Sequence, residues 1–180
     1  MNEPARNSGP LELERVTPEG DLTSPPQTRD GPGRSVERYF AYGSNLTLSR
    51  LQQRVPGARP LGAARLPGHR FGFDKAGRDG SGKANVRTAG ADDEVWGVVY
   101  ALEADDWEVL DGFEPGYERV RVRVETAGGE WLLASTYRAE RRTQDLVPLE
   151  EYKRFVVDGA REHGLPDEWI AFLEIIPSRS

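Results

Sequence analysis

Cysteine is absent from the 180-residue chain, which excludes disulfides, thiolate zinc sites and a cysteine nucleophile together. Histidine occurs only at His69 and His163, so a histidine-based metal site or a Ser-His-Asp triad is poorly supplied. No apolar run approaches the roughly 18–20 residues that span a bilayer. The start, Met1-Asn2-Glu3-Pro4, lacks the basic residues and apolar run of a secretory signal. A cytoplasmic protein with no membrane partner is the expectation. The net charge of -6 argues against a nucleic-acid partner, because phosphate binding needs a clustered basic face. Arginines do gather at Arg119, Arg121 and Arg123, but they alternate with valines as on the solvated face of a strand.

What is present is a balance of 37% hydrophobic and 30% charged residues, enough for one domain with a core. Residues 1–35 read as a disordered tail. Pro4, Pro10, Pro18, Pro25, Pro26 and Pro32 break any periodicity, and no aromatic precedes Tyr39. The domain is expected over 36–178. Residues 37–42 read as a strand, and 47–55 as a short helix with Asn45 or Thr47 as N-cap and Pro56-Gly57 as its stop. Strands are expected near 59–66 and 69–74, then a glycine-rich loop over 76–82. Residues 94–102 are apolar on both faces, as in a strand covered on both sides. A short helix over 104–110 follows, then a loop over 111–116. A hairpin is expected from 117–126 and 131–138 around Gly128-Gly129, with Val120, Val122 and Val124 inward. Two helices, 148–163 and 166–175, close the domain, with Gly164 as a C-cap. Strands first and helices last give an α+β class, with a mixed, largely antiparallel sheet curled into a small barrel and flanked by helices.

Three places could carry chemistry. Tyr42-Gly43-Ser44-Asn45-Leu46 leads from a strand into a helix, and such a turn is either an ordinary N-cap or a set of backbone N–H groups that holds a carboxylate or oxyanion. It is not a nucleotide phosphate loop, because the second glycine and the Gly-Lys-Ser/Thr ending are missing. Glu114, between Phe113 and Pro115, has partly apolar neighbours that would raise its pKa and suit it to proton transfer. Alternatively it is a solvated loop glutamate, with Asp111 a helix-end residue. Tyr137 stands on a late strand beside Ser135, where its hydroxyl either meets a substrate or merely packs.

Taken in chain order, these features resemble the γ-glutamylcyclotransferase family. Tyr39-Phe40-Ala41-Tyr42-Gly43-Ser44-Asn45-Leu46 looks like its opening strand and signature loop. Residues 93–100 look like its central strand, and Glu114-Pro115-Gly116-Tyr117 falls where the family keeps a catalytic glutamate. Tyr137 matches a tyrosine lining the site, and residues 152–166 resemble the C-terminal helix. The resemblance covers about residues 38–177. It implies the γ-glutamylcyclotransferase-like fold and a cofactor-independent enzyme acting on a small γ-glutamyl substrate. The substrate's own α-amine would attack its γ-carbonyl, giving 5-oxoproline and a free amino acid or amine. Glu114 would be the acid/base, and Tyr42, Gly43, Ser44, Asn45, Leu46 and Tyr137 the substrate-binding residues, with no metal. A homodimer is compatible with the resemblance. Asn45 counts against the glutathione-specific branch, and the branch acting on γ-glutamyl amino acids fits best. A γ-glutamylamine cyclotransferase or a γ-glutamyl deprotecting enzyme of a biosynthetic pathway is an alternative. So are a non-catalytic binding domain of the same fold and an amide hydrolase that uses water. The loops at 75–83 and 138–147 are expected to shape the leaving-group side.

Overall fold

The computed structural model describes residues 28–30 and 34–180. Its strands are β1 (Thr28–Asp30), β2 (Arg34–Ala41), β3 (Arg59–Pro67), β4 (His69–Ala76), β5 (Gly82–Thr88), β6 (Glu94–Glu103), β7 (Tyr117–Thr126) and β8 (Trp131–Ala139). Its helices are α1 (Leu48–Arg54), α2 (Asp106–Phe113), α3 (Glu150–Glu162) and α4 (Asp167–Ile175), and a 3-10 turn covers Ser44–Leu46. The large sheet runs β1-β2-β6-β3-β7-β8. A parallel pairing of β2 with β8, Tyr39 opposite Ser135, closes five of these strands into a barrel. All other pairings are antiparallel. The α+β barrel expected from the sequence is therefore the architecture observed. No helix among the described residues is long and apolar enough to cross a membrane.

Closure explains why β6 is apolar throughout. One face fills the barrel and the other lies under further elements, so Val95, Val98, Val99, Tyr100, Ala101 and Leu102 are all buried. In β7, Val122 and Val124 turn inward and Val120 is half-buried, with Arg119 exposed. β1 pairs with β2 and falls within the segment read as a tail; residues 1–27 and 31–33 lie outside the described residues. β5 is a strand the sequence reading left as connection. It pairs with β4 as a separate two-stranded hairpin, in which only Ala84 and Val86 give an apolar alternation too short to stand out. The expected glycine-rich loop is the tip of that hairpin, where Gly77 N–H donates to the Ser81 carbonyl at 2.8 Å.

Two local expectations need correction. α2 runs on through Asp111, Gly112 and Phe113, so the loop starts only at Glu114. The residue before a proline is pushed out of the helical region, and Pro115 makes Glu114 that residue (φ -116, ψ 50). Thr47 does stand at the N-cap of α1, yet it makes no side-chain cap. Its hydroxyl donates instead to the Phe155 carbonyl on α3, at 2.7 Å.

That bond belongs to a close seam between α3 and the 3-10 turn. A Cβ on Gly159 would come within 2.5 Å of Leu46 and of the Thr47 nitrogen. From the other side, the Tyr100 hydroxyl donates to the Leu46 carbonyl at 2.7 Å and meets His163 Nε2 at 2.8 Å. Leu46 itself is fully buried. The turn that carries the signature residues is thus clamped between a barrel strand and a helix. Alanine in place of glycine favours a helix by about 1 kcal/mol, whereas overpacking typically costs about 1–3 kcal/mol. Because the clash is with backbone, the second effect wins. Gly159→Ala is expected to lower unfolding free energy by about 1–2 kcal/mol in urea titrations.

Candidate active site

β2 delivers Tyr39 to the barrel end and Tyr42 just beyond it, and the chain then turns through Gly43, Ser44 and Asn45. α2 ends at the same place, which brings Glu114 across from Asn45, although 69 residues separate them. A narrow cavity opens between these segments. Tyr42, Gly43, Ser44, Asn45, Glu114 and Tyr137 line it, joined by Tyr39, Ala84, Tyr117 and Tyr152. Six of the seven residues proposed from sequence therefore converge. Leu46 does not: its side chain is core, and its N–H is used within the turn on the Gly43 carbonyl. The amides of Ser44 and Asn45 have no acceptor among the described residues.

Glu114 is the chemical centre of this group. Its Oε1 accepts from Arg54 Nη1 at 2.9 Å and from Asn45 Nδ2 at 3.1 Å. Arg54 Nη1 also donates to Asn45 Oδ1 at 3.1 Å, closing a triangle. The Glu114 and Arg54 side chains are each only 15% exposed. Burial pushes the Glu114 carboxyl above its ordinary range, and the Arg54 charge and these hydrogen bonds offset part of that rise. Both donors fall on Oε1, and Oε2 has no partner among the described residues. One oxygen is anchored and the other is available.

The tyrosines form the walls. Desolvation raises the hydroxyl pKa of Tyr39, Tyr42, Tyr117, Tyr137 and Tyr152, so all five stay protonated near neutrality. Most are already engaged. Tyr42 donates to the Tyr137 carbonyl, and Tyr117 to the Ala84 carbonyl at 2.7 Å. Tyr152 accepts from the Ala84 amide at 3.2 Å. Tyr137 also departs from expectation. Its hydroxyl donates to Asp111 Oδ1 at 2.6 Å, so its ring lines the cavity while its polar end braces α2. Asp111 is correspondingly a partner of Tyr137 and not just a helix-end residue. Ser44 has no histidine beside it; His69 contacts the Pro67 carbonyl and His163 contacts Tyr100.

Arg54, Tyr39, Tyr117 and Tyr152 were not proposed from sequence. Arg54 gave no distinct signal, because a basic residue in the last turn of a helix is ordinary complement to the helix dipole. β4 backs these walls: Phe71 packs edge-on against Tyr42 with ring centroids 6.3 Å apart, and Phe73 lies 6.2 Å from Tyr152. Outside the narrow cavity lies a wider basin that shares Ser44, Glu114, Tyr117 and Tyr152 with it.

Known proteins resemble both the sequence and this structure. The sequence model of the AIG2-like family matches residues 94–173. The chain is 32% identical over 154 residues to a γ-glutamylcyclotransferase of Homo sapiens, covering 81% of each chain. It is 32% identical over 139 residues to one of Bos taurus, covering 73% of each. A solved γ-glutamyl cyclotransferase superposes with a TM-score of 0.76 at 30% identity, over 81% of this chain and 90% of that one.

The raised Glu114 pKa has a signed consequence for stability. As pH rises above the ordinary glutamate value of 4.5, the unfolded chain ionises first, so it binds fewer protons than the native state and stability falls. The penalty is absent below that value and complete above the raised one. Glu114→Gln removes it. Its stability relative to the native protein is therefore expected to climb with pH across that window, as measured by denaturation at a series of pH values; a flat difference would contradict the buried carboxyl.

Proposed function

The chain belongs to the γ-glutamylcyclotransferase family, and we propose that it converts γ-glutamyl amino acids to 5-oxoproline and the free amino acid. The observation that carries this reading is the Glu114 carboxyl: largely buried, raised in pKa, anchored through one oxygen and open through the other. Such a group can take a proton at one step and return it at another.

In the reaction the substrate folds so that its α-amine reaches its γ-carbonyl carbon. Glu114, as carboxylate, removes a proton from the α-ammonium. The freed nitrogen lone pair forms the new C–N bond, and the carbonyl π electrons move onto oxygen. When that oxyanion collapses, the original amide C–N bond breaks and Glu114 returns its proton to the departing nitrogen; the ring nitrogen then gives up its surplus proton through Glu114, so the lactam is neutral and the amine leaves as an ammonium. Atoms and protons then balance without a protein nucleophile, which suits a cavity where Ser44 has no histidine beside it. The Ser44 and Asn45 amides are placed to hold a substrate carboxylate or the developing oxyanion. Holding amine and carbonyl together is itself worth up to about 7–11 kcal/mol in ideal cases. Tyr42, Gly43 and Tyr137 shape the wall against which the substrate folds. A cytoplasmic setting agrees with a chain free of cysteine.

Incubation with γ-glutamyl-alanine is expected to yield 5-oxoproline and alanine. Free glutamate as the main product would replace cyclisation by hydrolysis. Glu114→Gln, which retains an acceptor for Arg54 and Asn45, is expected to fold and to lose about 10²–10⁴-fold in kcat. Near-native turnover in that variant would remove Glu114 from the chemistry.

A further inference from the structure

The basin outside the narrow cavity has a volume of about 350 Å³ and is unusually rich in cations. Arg50, Arg54, Lys75, Arg78 and Lys83 all line it, against Glu114 as the one acidic residue in its wall. Two of the five cations are engaged. Arg54 holds Glu114, and Lys83 pairs with Asp79 at 2.8 Å. Arg50, Lys75 and Arg78 have no ion-pair partner among the described residues.

Arg78 is exposed, but Arg50 and Lys75 are part-buried and lie against aromatic rings. The Arg50 guanidinium lies 4.3 Å from the Phe155 ring centroid, and its Nε is buried without a hydrogen-bond partner. Lys75 Nζ stands 5.0 Å from the centre of the Tyr117 ring, which also walls the narrow cavity. Burial lowers the pKa of both Arg50 and Lys75, so each would gain from an anion that enters beside it. Lys75 and Arg78 come from the tip of the β4–β5 hairpin, which hydrogen bonds within the tip hold in shape.

We propose that this basin receives the leaving half of the substrate and selects a dicarboxylic amino acid there, so that γ-glutamyl-glutamate and γ-glutamyl-aspartate are preferred substrates. The inference rests on the cyclisation reading, because Glu114 lies at the junction of cavity and basin and must reach the departing nitrogen. The cyclising half then faces the loop amides, and the released amino acid faces the cations. A neutral leaving residue such as alanine brings one carboxylate to three cations without acidic partners. A dicarboxylic one brings two.

The test compares γ-glutamyl-glutamate with γ-glutamyl-glutamine, which has the same shape without the side-chain charge. The native enzyme is expected to favour the acidic dipeptide about tenfold in kcat/KM, and the preference should shrink as salt rises from about 0.01 to 1 M. In Lys75→Gln/Arg78→Gln the ratio is expected to fall toward one. Equal kcat/KM for the two dipeptides would overturn the proposal, as would a ratio that neither salt nor the double substitution changes. The salt series on the native protein stands even if the double variant does not fold. If neither dipeptide nor γ-glutamyl-alanine gives 5-oxoproline, the cyclisation reading fails. Calorimetry then decides the basin separately: tighter binding of γ-glutamyl-glutamate supports it, and equal binding overturns it.

Discussion

Glu114 is held largely out of water, and a carboxylate in that position needs partners that the local chain cannot supply. Its neighbours Phe113 and Pro115 offer none. The donors come from Asn45 in the turn after β2 and from Arg54 at the end of α1. The carboxyl can therefore exist in this state only when the barrel has placed the end of α2 beside the β2–α1 connection. The reactive group and the fold are one problem. Burial that raises the pKa and ion pairing that lowers it are balanced by geometry, and the net rise leaves an acid suited to moving protons in both directions.

The same logic explains the effort spent on a five-residue loop. A turn proposed to present amides to a substrate cannot be left to a weak local preference. Here it is fixed from two sides: Gly159 lets α3 approach the backbone of Leu46 and Thr47, and Tyr100 grips the Leu46 carbonyl from within the barrel. Leu46, absent from the cavity wall, acts as the anchor that holds Gly43, Ser44 and Asn45 in place. The tyrosine walls are rigid for a related reason. Tyr42, Tyr117 and Tyr137 spend their hydroxyls on protein acceptors, which fixes their rings and leaves the carboxyl as the mobile-proton group of the cavity.

Most of the element order could be read from residue pattern. The strictly alternating β7, the doubly apolar β6 and the glycine-stopped α3 each carry a strong periodic or capping signal, and all lie where that signal put them. β5 was missed because Ala84 and Val86 are its only clear inward pair and glycines flank it. The end of α2 was placed too early because Asp111 and Gly112 read as turn residues, whereas the real break is set by Pro115. Tyr137 was found for its place but not for its partner. Nothing in a linear sequence tells that its hydroxyl will meet Asp111, 26 residues earlier.

Sequence by itself determined the class of the molecule: an α+β domain with a distinctive strand-to-helix turn, a glutamate between apolar neighbours, and no cysteine. These are local properties, set by composition, period and a few backbone-restricting residues, and they survive in one dimension. Only tertiary structure decided which groups share a volume. Arg54 became the partner of Glu114, Leu46 became core, and Arg50, Lys75 and Arg78, drawn from a helix and a hairpin tip, came to face one basin. The physical reason is that charge balance and desolvation depend on distances through space, and the closure of β2 onto β8 is what brings those distances about.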